Sequence, residues 1–374
     1  MSVVLLVLGI ILFVSLVVVH EFGHFLAARC NGVEVEEFGI GFPPKAWSKK
    51  TKSGFIFSIN WLPIGGFVKL KGESDAATEK GTLGAASTAA KTKIMLAGVT
   101  MNLVVAFGLL TLLAWIGMPQ LVENQFTVKS DTKTVKNEVL AGSVDAGSPA
   151  AKAGLHTQDQ LLSISANQKT TKLSDAATLP NVTETFAGKK VTIAYNRGGQ
   201  AHTTEVTLNS RAIVEASKKT KTPKGYLGVV PTQYTVNRST WSAPIVAGGL
   251  IGQITALTLH GLGTAISAVF QGQGSKAASQ VSGPVGIIVI LKNGSLLGVQ
   301  FILMIIAIIS LTLAIMNVLP IPALDGGRLY MMLLSRAFGK KLTQDMEERI
   351  VGSSFVFLLF LIVLITIVDV KRFF

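Results

Sequence analysis

Charge is scarce in this chain. Of 374 residues only 15% are Asp, Glu, Lys or Arg, against 49% hydrophobic, and the mean hydropathy is +0.51. A soluble globular chain carries roughly 25% charged residues. An ordinary water-soluble enzyme is therefore excluded and a membrane protein expected. Cysteine is nearly absent: Cys30 stands alone, so no intrachain disulfide can form. It follows an apolar run and reads as a reduced bystander rather than a nucleophile. Acidic residues are outnumbered 21 to 34, for a net charge of +13. In a soluble chain that excess would suggest nucleic acid. Beside membrane spans, lysines report topology instead, and no nucleic-acid partner is expected.

Long apolar sequence is what the chain has in abundance. Residues 3–19 (VVLLVLGIILFVSLVVV) are almost wholly apolar, with the helix continuing to Ala28, enough to cross a bilayer. No Lys or Arg precedes this run and no small-residue cleavage site follows, so it reads as a span rather than a signal peptide. Further spans are expected at 94–117, 297–319 and 352–368. Segment 244–270 is Gly-rich and carries Gln253, Thr255, Thr258 and His260. It is expected to lie on the membrane surface as an amphipathic helix. Lys and Arg crowd the loop from Arg29 through Lys45, Lys49, Lys50 and Lys52 to Lys91 and Lys93. They crowd the loop holding Arg328, Arg336, Lys340, Lys341 and Arg349 as well. The positive-inside rule places both loops in the cytoplasm, and both termini and segment 118–296 outside it. Only Lys371 and Arg372 oppose this.

His20-Glu21-Phe22-Gly23-His24 is an H-E-x-x-H pattern. On a helix, positions i and i+4 share a face about 6 Å apart along the axis. Two imidazoles so placed can hold one Zn²⁺, with the glutamate positioned to take a proton from water. The pattern ends a membrane helix, where ionisable groups are costly and functional by default. Catalytic zinc usually has three protein ligands. The other polar cluster at membrane depth is Asn317-Val318-Leu319-Pro320-Ile321-Pro322-Ala323-Leu324-Asp325-Gly326-Gly327. By the topology above it sits at the same depth as His20 and His24. Irregular backbone is tolerated there only beside a cavity or inside protein. Asp325 is thus well placed as the third ligand, and Asn317 to donate to a developing oxyanion.

Segment 121–232 is the stretch able to build a water-soluble domain. Glu138–Val144 and 161–164 read as strands. Ser148 and Pro149 open a short helix that Gly154 ends, and 191–196 pairs with 203–208 around Arg197-Gly198-Gly199. The run Gly147–Leu155, with Asp159 and Leu161, resembles the signature of bacterial PDZ domains. Thr157 and Gln158 stand where Pro and Gly usually precede the Asp. Gly225-Tyr226-Leu227-Gly228 resembles the carboxylate-binding loop of such domains. These domains bind peptides by strand addition, but a plug that only screens substrates by size fits as well.

The pairing of HEFGH in the first span with NVLPIPALDGG in a late span resembles the site-2 protease family of intramembrane metalloproteases. The insert and Ser282-Gly283-Pro284-Val285-Gly286 match its bacterial branch. The resemblance covers nearly the whole chain. It implies one Zn²⁺ held by His20, His24 and Asp325, with Glu21 as the catalytic acid/base. Asn317, Pro320 and Pro322 match residues that help position substrate. Many relatives carry two PDZ domains, whereas this insert has room for one. Residues 55–71 (FIFSINWLPIGGFVKLK) read as a β-hairpin turning at Gly65-Gly66. In the family a membrane-associated β-element occupies this place and pairs with extended substrate, here through Phe67, Val68 and Lys69.

The expected architecture is a polytopic α-helical membrane protein of about four spans. Region 1–120 holds the H-E-x-x-H helix, the hairpin and the second span. Region 121–232 is the PDZ-like domain, 233–296 a linker with the surface helix, and 297–374 the C-terminal membrane region. The expected function is hydrolysis of peptide bonds in transmembrane segments of tethered substrates, such as membrane-anchored transcription regulators or remnant signal peptides, in a bacterial inner or plasma membrane. A non-catalytic scaffold would not need Glu21. A metal transporter would line several spans with polar groups, and spans two and four offer little beyond Asn102.

Overall fold

In lipid a backbone can satisfy its polar groups only internally, and the apolar runs are accordingly helices. The computed structural model describes residues 2–74, 77–166, 169–220, 222–339 and 343–373, without the side chains of Ser2, Pro63 and Ile64. Lys340 and Lys341 lie outside the described residues. Helix α1 (Ser2–Cys30) leads into β1 (Val35–Lys50) and β2 (Ile56–Leu70), then α2 (Thr88–Ile116). A mostly β stretch follows: β3 (Met118–Pro119), β4 (Lys133–Val144), α3 (Pro149–Lys152), β5 (Gln160–Ala166), β6 (Lys169–Lys172), α4 (Thr178–Thr185), β7 (Lys190–Arg197), β8 (Gln200–Thr207), α5 (Arg211–Ser217) and β9 (Val229–Arg238). The chain ends in α6 (Ala243–Phe270), α7 (Gly274–Ser279), α8 (Pro284–Gly294), α9 (Val299–Val318), α10 (Asp325–Ala337) and α11 (Gln344–Phe373). Among the described residues five helices, α1, α2, α6, α9 and α11, are long and apolar enough to cross a membrane. The 244–270 segment, expected on the surface, meets the same test of length and composition.

The chain divides into two compact units, Met1–Leu113 with Ser242–Phe374, and Ala114–Trp241. In the first, Leu16 of α1 packs with Leu291, Ile302 and Ile306 of α8 and α9. A second cluster, Ala28, Val33, Val35, Leu70, Leu83 and Ile94, joins the end of α1 to the sheet and α2. Helix α8 begins at Gly283, which has no side chain to cap it. Asp369 of α11 does so, its Oδ2 accepting the amides of Gly283 and Gly286 at 2.8 Å each.

Residues 55–71 do not fold back on themselves as expected. The hairpin turns at 51–54, and both long strands bend, so the first part of β1 lies between the two arms of β2. Phe38 pairs with both Phe57 and Val68, and Gly39 with both Ser58 and Phe67, while 45–50 pairs with 56–60. The order across the sheet is thus 45–50, 56–60, 37–40, 66–70. Gly39 makes this possible: a Cβ there would sit 2.4 Å from the Phe67 ring. Ser58 and Asn60 are buried, Ser58 donating to Glu37 Oε1 at 2.6 Å and Asn60 to the Gly41 carbonyl at 3.1 Å. Phe42, Trp47, Ile59, Trp61 and Leu62 are exposed. Polar groups inside and large apolar ones outside suit a sheet in contact with lipid.

The second unit is an antiparallel sheet of order β3-β9-β4-β5-β7-β8, with β6 on β5. Leu155, Leu161, Ile164, Val191, Ile193 and Leu227 fill its core. Ser148 caps α3, its Oγ accepting the Ala151 amide at 3.1 Å. Gly154 ends that helix at φ +79, and Gly198 and Gly199 turn the β7–β8 hairpin at φ +60 and +86. Buried Asp159 accepts the His156 amide and pairs with Arg197, raising the guanidinium pKa. The unit reaches beyond 121–232 because β3 pairs with the far end of β9.

Candidate metal centre and active site

The 3.6-residue period puts His20 and His24 on one face of α1, and both are buried. Asp325 opens α10. Its Oδ2 lies 3.0 Å from His20 Nε2 and 3.2 Å from His24 Nε2, and the two Nε2 atoms are 3.3 Å apart. The aspartate arrives through the break between α9 and α10. Pro320 and Pro322 cannot continue a helix. Gly326 and Gly327 press against the carbonyls of Val318 and Ile321, where a Cβ would collide. These three donor atoms are the only His, Cys, Asp or Glu set among the described residues close enough to hold one ion.

The donor set fits zinc, and the contacts behind it fit as well. His24 Nδ1 donates to the Ile94 carbonyl of α2 at 2.8 Å, which leaves the Nε2 lone pair to the ion. His20 Nδ1 lies 3.2 Å from Asn102 Nδ2, while Asn102 Oδ1 is buried without a hydrogen-bond partner among the described residues. The two ends of the amide have the same shape. Only with Oδ1 turned to His20 Nδ1–H is that oxygen satisfied, and the same turn aims the His20 Nε2 lone pair at the ion. Asn102 is itself tied to α9, its carbonyl accepting Ser310 Oγ at 2.8 Å. Asn102→Ala should weaken zinc binding roughly ten- to a hundredfold with the fold intact. Zinc retained against a competing chelator measures this.

Helix α2 also makes room. A Cβ on Gly98 would lie 2.5 Å from His24 Nε2 and 2.6 Å from His20 Nε2, in the space the ion needs. Gly23 of α1 in turn sits against the Ala97 carbonyl, where a Cβ would come within 2.6 Å. The two helices therefore meet at glycines.

Glu21 is one residue from His20 and so about 100° around the helix. Its Oε2 accepts the Val68 amide of β2 at 3.1 Å. Glu21 lines a cavity of about 200 Å³ with His24, Phe67, Val68, Leu70, Glu73, Asp325 and Arg328. Zinc bound by the three ligands would polarise a scissile carbonyl and activate water. With Oε2 held by Val68, Oε1 would be the oxygen free to accept a proton from water and pass it to a leaving nitrogen.

The other sequence candidates fall in different places. Asn317 is the penultimate residue of α9 and half-buried. Pro320 is exposed and Pro322 half-buried, between α9 and α10. Phe67 and Val68 line the cavity, but Lys69 turns away, its ammonium 2.7 Å from Glu36, which raises its pKa. Strand period 2 explains the difference. The outward amides are those of Val68 and Leu70, and Lys69 pairs with β1 at Glu37. Sequence reasoning missed Gly98, Leu70 and the part Asn102 plays. The one available signal was Gly98 and Asn102 at i, i+4 in an apolar helix.

Two helical imidazoles and a carboxylate within reach of one ion, with a glutamate beside them, are the donor set of a zinc metalloprotease. Residues 8–361 match Peptidase family M50. A chain named as a zinc metalloprotease in Clostridium acetobutylicum is 31% identical over 365 residues, covering 98% of this chain and 97% of that one. A chain named as the protease eep in Enterococcus faecalis is 28% identical over 434 residues, covering 98% of each. The Bacillus subtilis protein named regulator of sigma-W protease RasP is 24% identical over 447 residues, again covering 98% of each. The chain belongs to Peptidase family M50, the site-2 proteases, and is an intramembrane zinc protease.

Proposed function

We propose that this protease cuts transmembrane segments of membrane-anchored proteins near the cytoplasmic face, transcription regulators and remnant signal peptides among them. His20, His24 and Asp325 hold the ion, Glu21 moves the proton, and Asn317 donates to the oxyanion. The observation that carries the reading is the placement of the metal centre against a strand edge, through the Val68 amide on Glu21. A helical peptide bond is shielded by its own hydrogen bonds, and a strand edge can hold the same segment extended. One relative's name calls it a regulator of sigma-W. Replacing Glu21 by Gln in the native cell and reading membrane proteins by mass spectrometry tests the reading. Intact substrates with a transmembrane segment should accumulate, and an unchanged membrane proteome would count against it.

Both termini and Ala114–Trp241 are extracytoplasmic in this reading, in a bacterial inner or plasma membrane. The lysines between α1 and α2 support it. Its measurement is labelling of Gln200→Cys, in the exposed β7–β8 turn, in a Cys30→Ala background. An impermeant maleimide should react in intact cells, and reaction only after lysis would reverse the topology. Helix α6 then lies along the outer surface. Ser239, four residues before it, donates to the Ala114 carbonyl, at the outer end of α2. Gly261 of α6 neighbours Gln280, three residues before Gly283, which Asp369 binds near the outer end of α11. With roughly 27 Å of helix from Ala243 to Gly261, these two contacts support that placement of α6. The unit Ala114–Trp241 supports a PDZ-like domain: Gly225–Gly228 runs into β9, which is unpaired opposite β4 over 229–234 among the described residues. It screens substrates by size or holds a peptide on that edge.

A further inference from the structure

The edge of β2 that faces the metal centre is already occupied by the chain's own carboxylates. Its outward amides, two residues apart, are both taken, Val68 by Glu21 and Leu70 by Glu73, at 3.1 Å each. Past Leu70 the edge is covered, since the amides of Leu83 and Gly84 bond the carbonyls of Lys71 and Gly72. Glu73 is outside the metal set, yet both its oxygens are engaged. Oε1 holds Leu70, and Oε2 accepts both Nη1 and Nη2 of Arg328 at 3.1 Å. Arg328 lies three residues past Asp325, and Glu73, Arg328 and Asp325 all line the 200 Å³ cavity. Arg328 Nε is buried with no hydrogen-bond partner among the described residues.

We propose that Glu73 determines which segments are cut, by standing in for a substrate carbonyl on the Leu70 amide until an extended segment displaces it onto Arg328. The proposal rests on the strand-edge reading above. A strand pairing with this edge must present a carbonyl where Glu73 Oε1 now sits. A carboxylate is a charged acceptor and holds an amide more strongly than a neutral carbonyl does. A segment whose carbonyls are still bonded within its own helix has nothing to offer in exchange. One already unwound does, so the cap favours helix-poor segments. The orphaned Arg328 Nε completes the argument. A guanidinium grips a carboxylate best through two parallel N–H bonds, and here it uses only its two outer nitrogens on a single oxygen. Once Oε1 leaves Leu70 it can reach Nε, so the displaced carboxylate gains a bond where it lost one.

Kinetics of the purified, zinc-loaded protein in detergent test this with two fluorogenic peptides of roughly 20 residues. One is all Leu and Ala, the other the same with a central Asn-Gly pair. Wild type should prefer the Asn-Gly peptide. Glu73→Ala should lower KM for the Leu/Ala peptide about fivefold, as for removal of a competing acceptor, change kcat less, and shrink the preference. Glu73→Gln, a neutral acceptor that keeps the shape, should fall between, and carries the test if Glu73→Ala does not fold. Arg328→Met should raise KM for both peptides, because the displaced carboxylate has nowhere to go. Opposite signs for the two partners are the signature, because a purely structural ion pair would move both the same way. Glu73 variants that are folded and zinc-replete yet raise KM, or keep the full preference, overturn the proposal. A wild type that cuts neither peptide overturns the strand-edge reading beneath it.

Discussion

Gly98→Ala should fold as the wild type does and hold almost no zinc. The added methyl would stand 2.5 Å from His24 Nε2 and 2.6 Å from His20 Nε2. The imidazole tips can make way only by giving up the bonds that aim them. His24 is held from behind by the Ile94 carbonyl of the same α2 helix, and His20 by Asn102, one turn on. A small turn of the tips clears the methyl while Gly23 stays packed against the Ala97 carbonyl, so the two helices need not separate. Alanine is also the better helix former by about 1 kcal/mol, so the melting temperature without metal should not fall. Metal content by mass spectrometry and thermal unfolding, measured together, check this. Near-stoichiometric zinc in Gly98→Ala would mean that the ion does not sit between the two imidazoles and α2. Activity should fall with the metal, by orders of magnitude.

Glu21→Gln should do the opposite, keeping zinc and losing turnover. The amide still accepts the Val68 N–H through its oxygen, so the β2 edge stays in place. An amide cannot take a proton as the proposed base must, and the rate should fall roughly a hundred- to ten-thousandfold. His20→Ala, His24→Ala and Asp325→Ala should lose metal as well as activity, since all three donor atoms converge within 4.8 Å. Full zinc affinity in Asp325→Ala, or an active Glu21→Gln, would break this division of roles. Proline at Val68 is a poor probe of strand addition. The amide it removes is the one that orients Glu21, so a loss of activity would report on the base as much as on the edge.

Much of the site was legible before any coordinates. A helix repeats every 3.6 residues, so H-E-x-x-H in an apolar run already puts two imidazoles on one face with a glutamate beside them. Scarcity of polar groups in the spans made Asp325 conspicuous, and the prolines and glycines around it announced a break. The helices α1, α2, α9 and α11 followed from unbroken apolar runs, and in the second unit Ser148, Pro149, Gly154 and Gly198-Gly199 marked the ends of α3 and the β7–β8 turn by local chemistry. These features depend on neighbours in sequence, which is why a single chain displays them.

What the sequence could not display depends on residues far apart in the chain. The amphipathic run 55–71 signalled a strand and a Gly-Gly turn, but not that 37–40 inserts between its arms, because pairing across the sheet is decided by shape. Gly39 leaves space for the Phe67 ring. The orientation of Lys69 went the same way, since a period of two assigns alternate amides to opposite edges only once the partner is known. Gly98 and Asn102 looked like ordinary interruptions of an apolar helix until α2 was seen against α1. By itself the sequence determined the chemical groups, their helical spacing and the membrane character of the chain. Only the tertiary structure decided which glycine faces the two imidazoles, which amide bonds Glu21 and which carboxylate occupies the strand edge. Those three are contacts between segments that the linear order keeps apart.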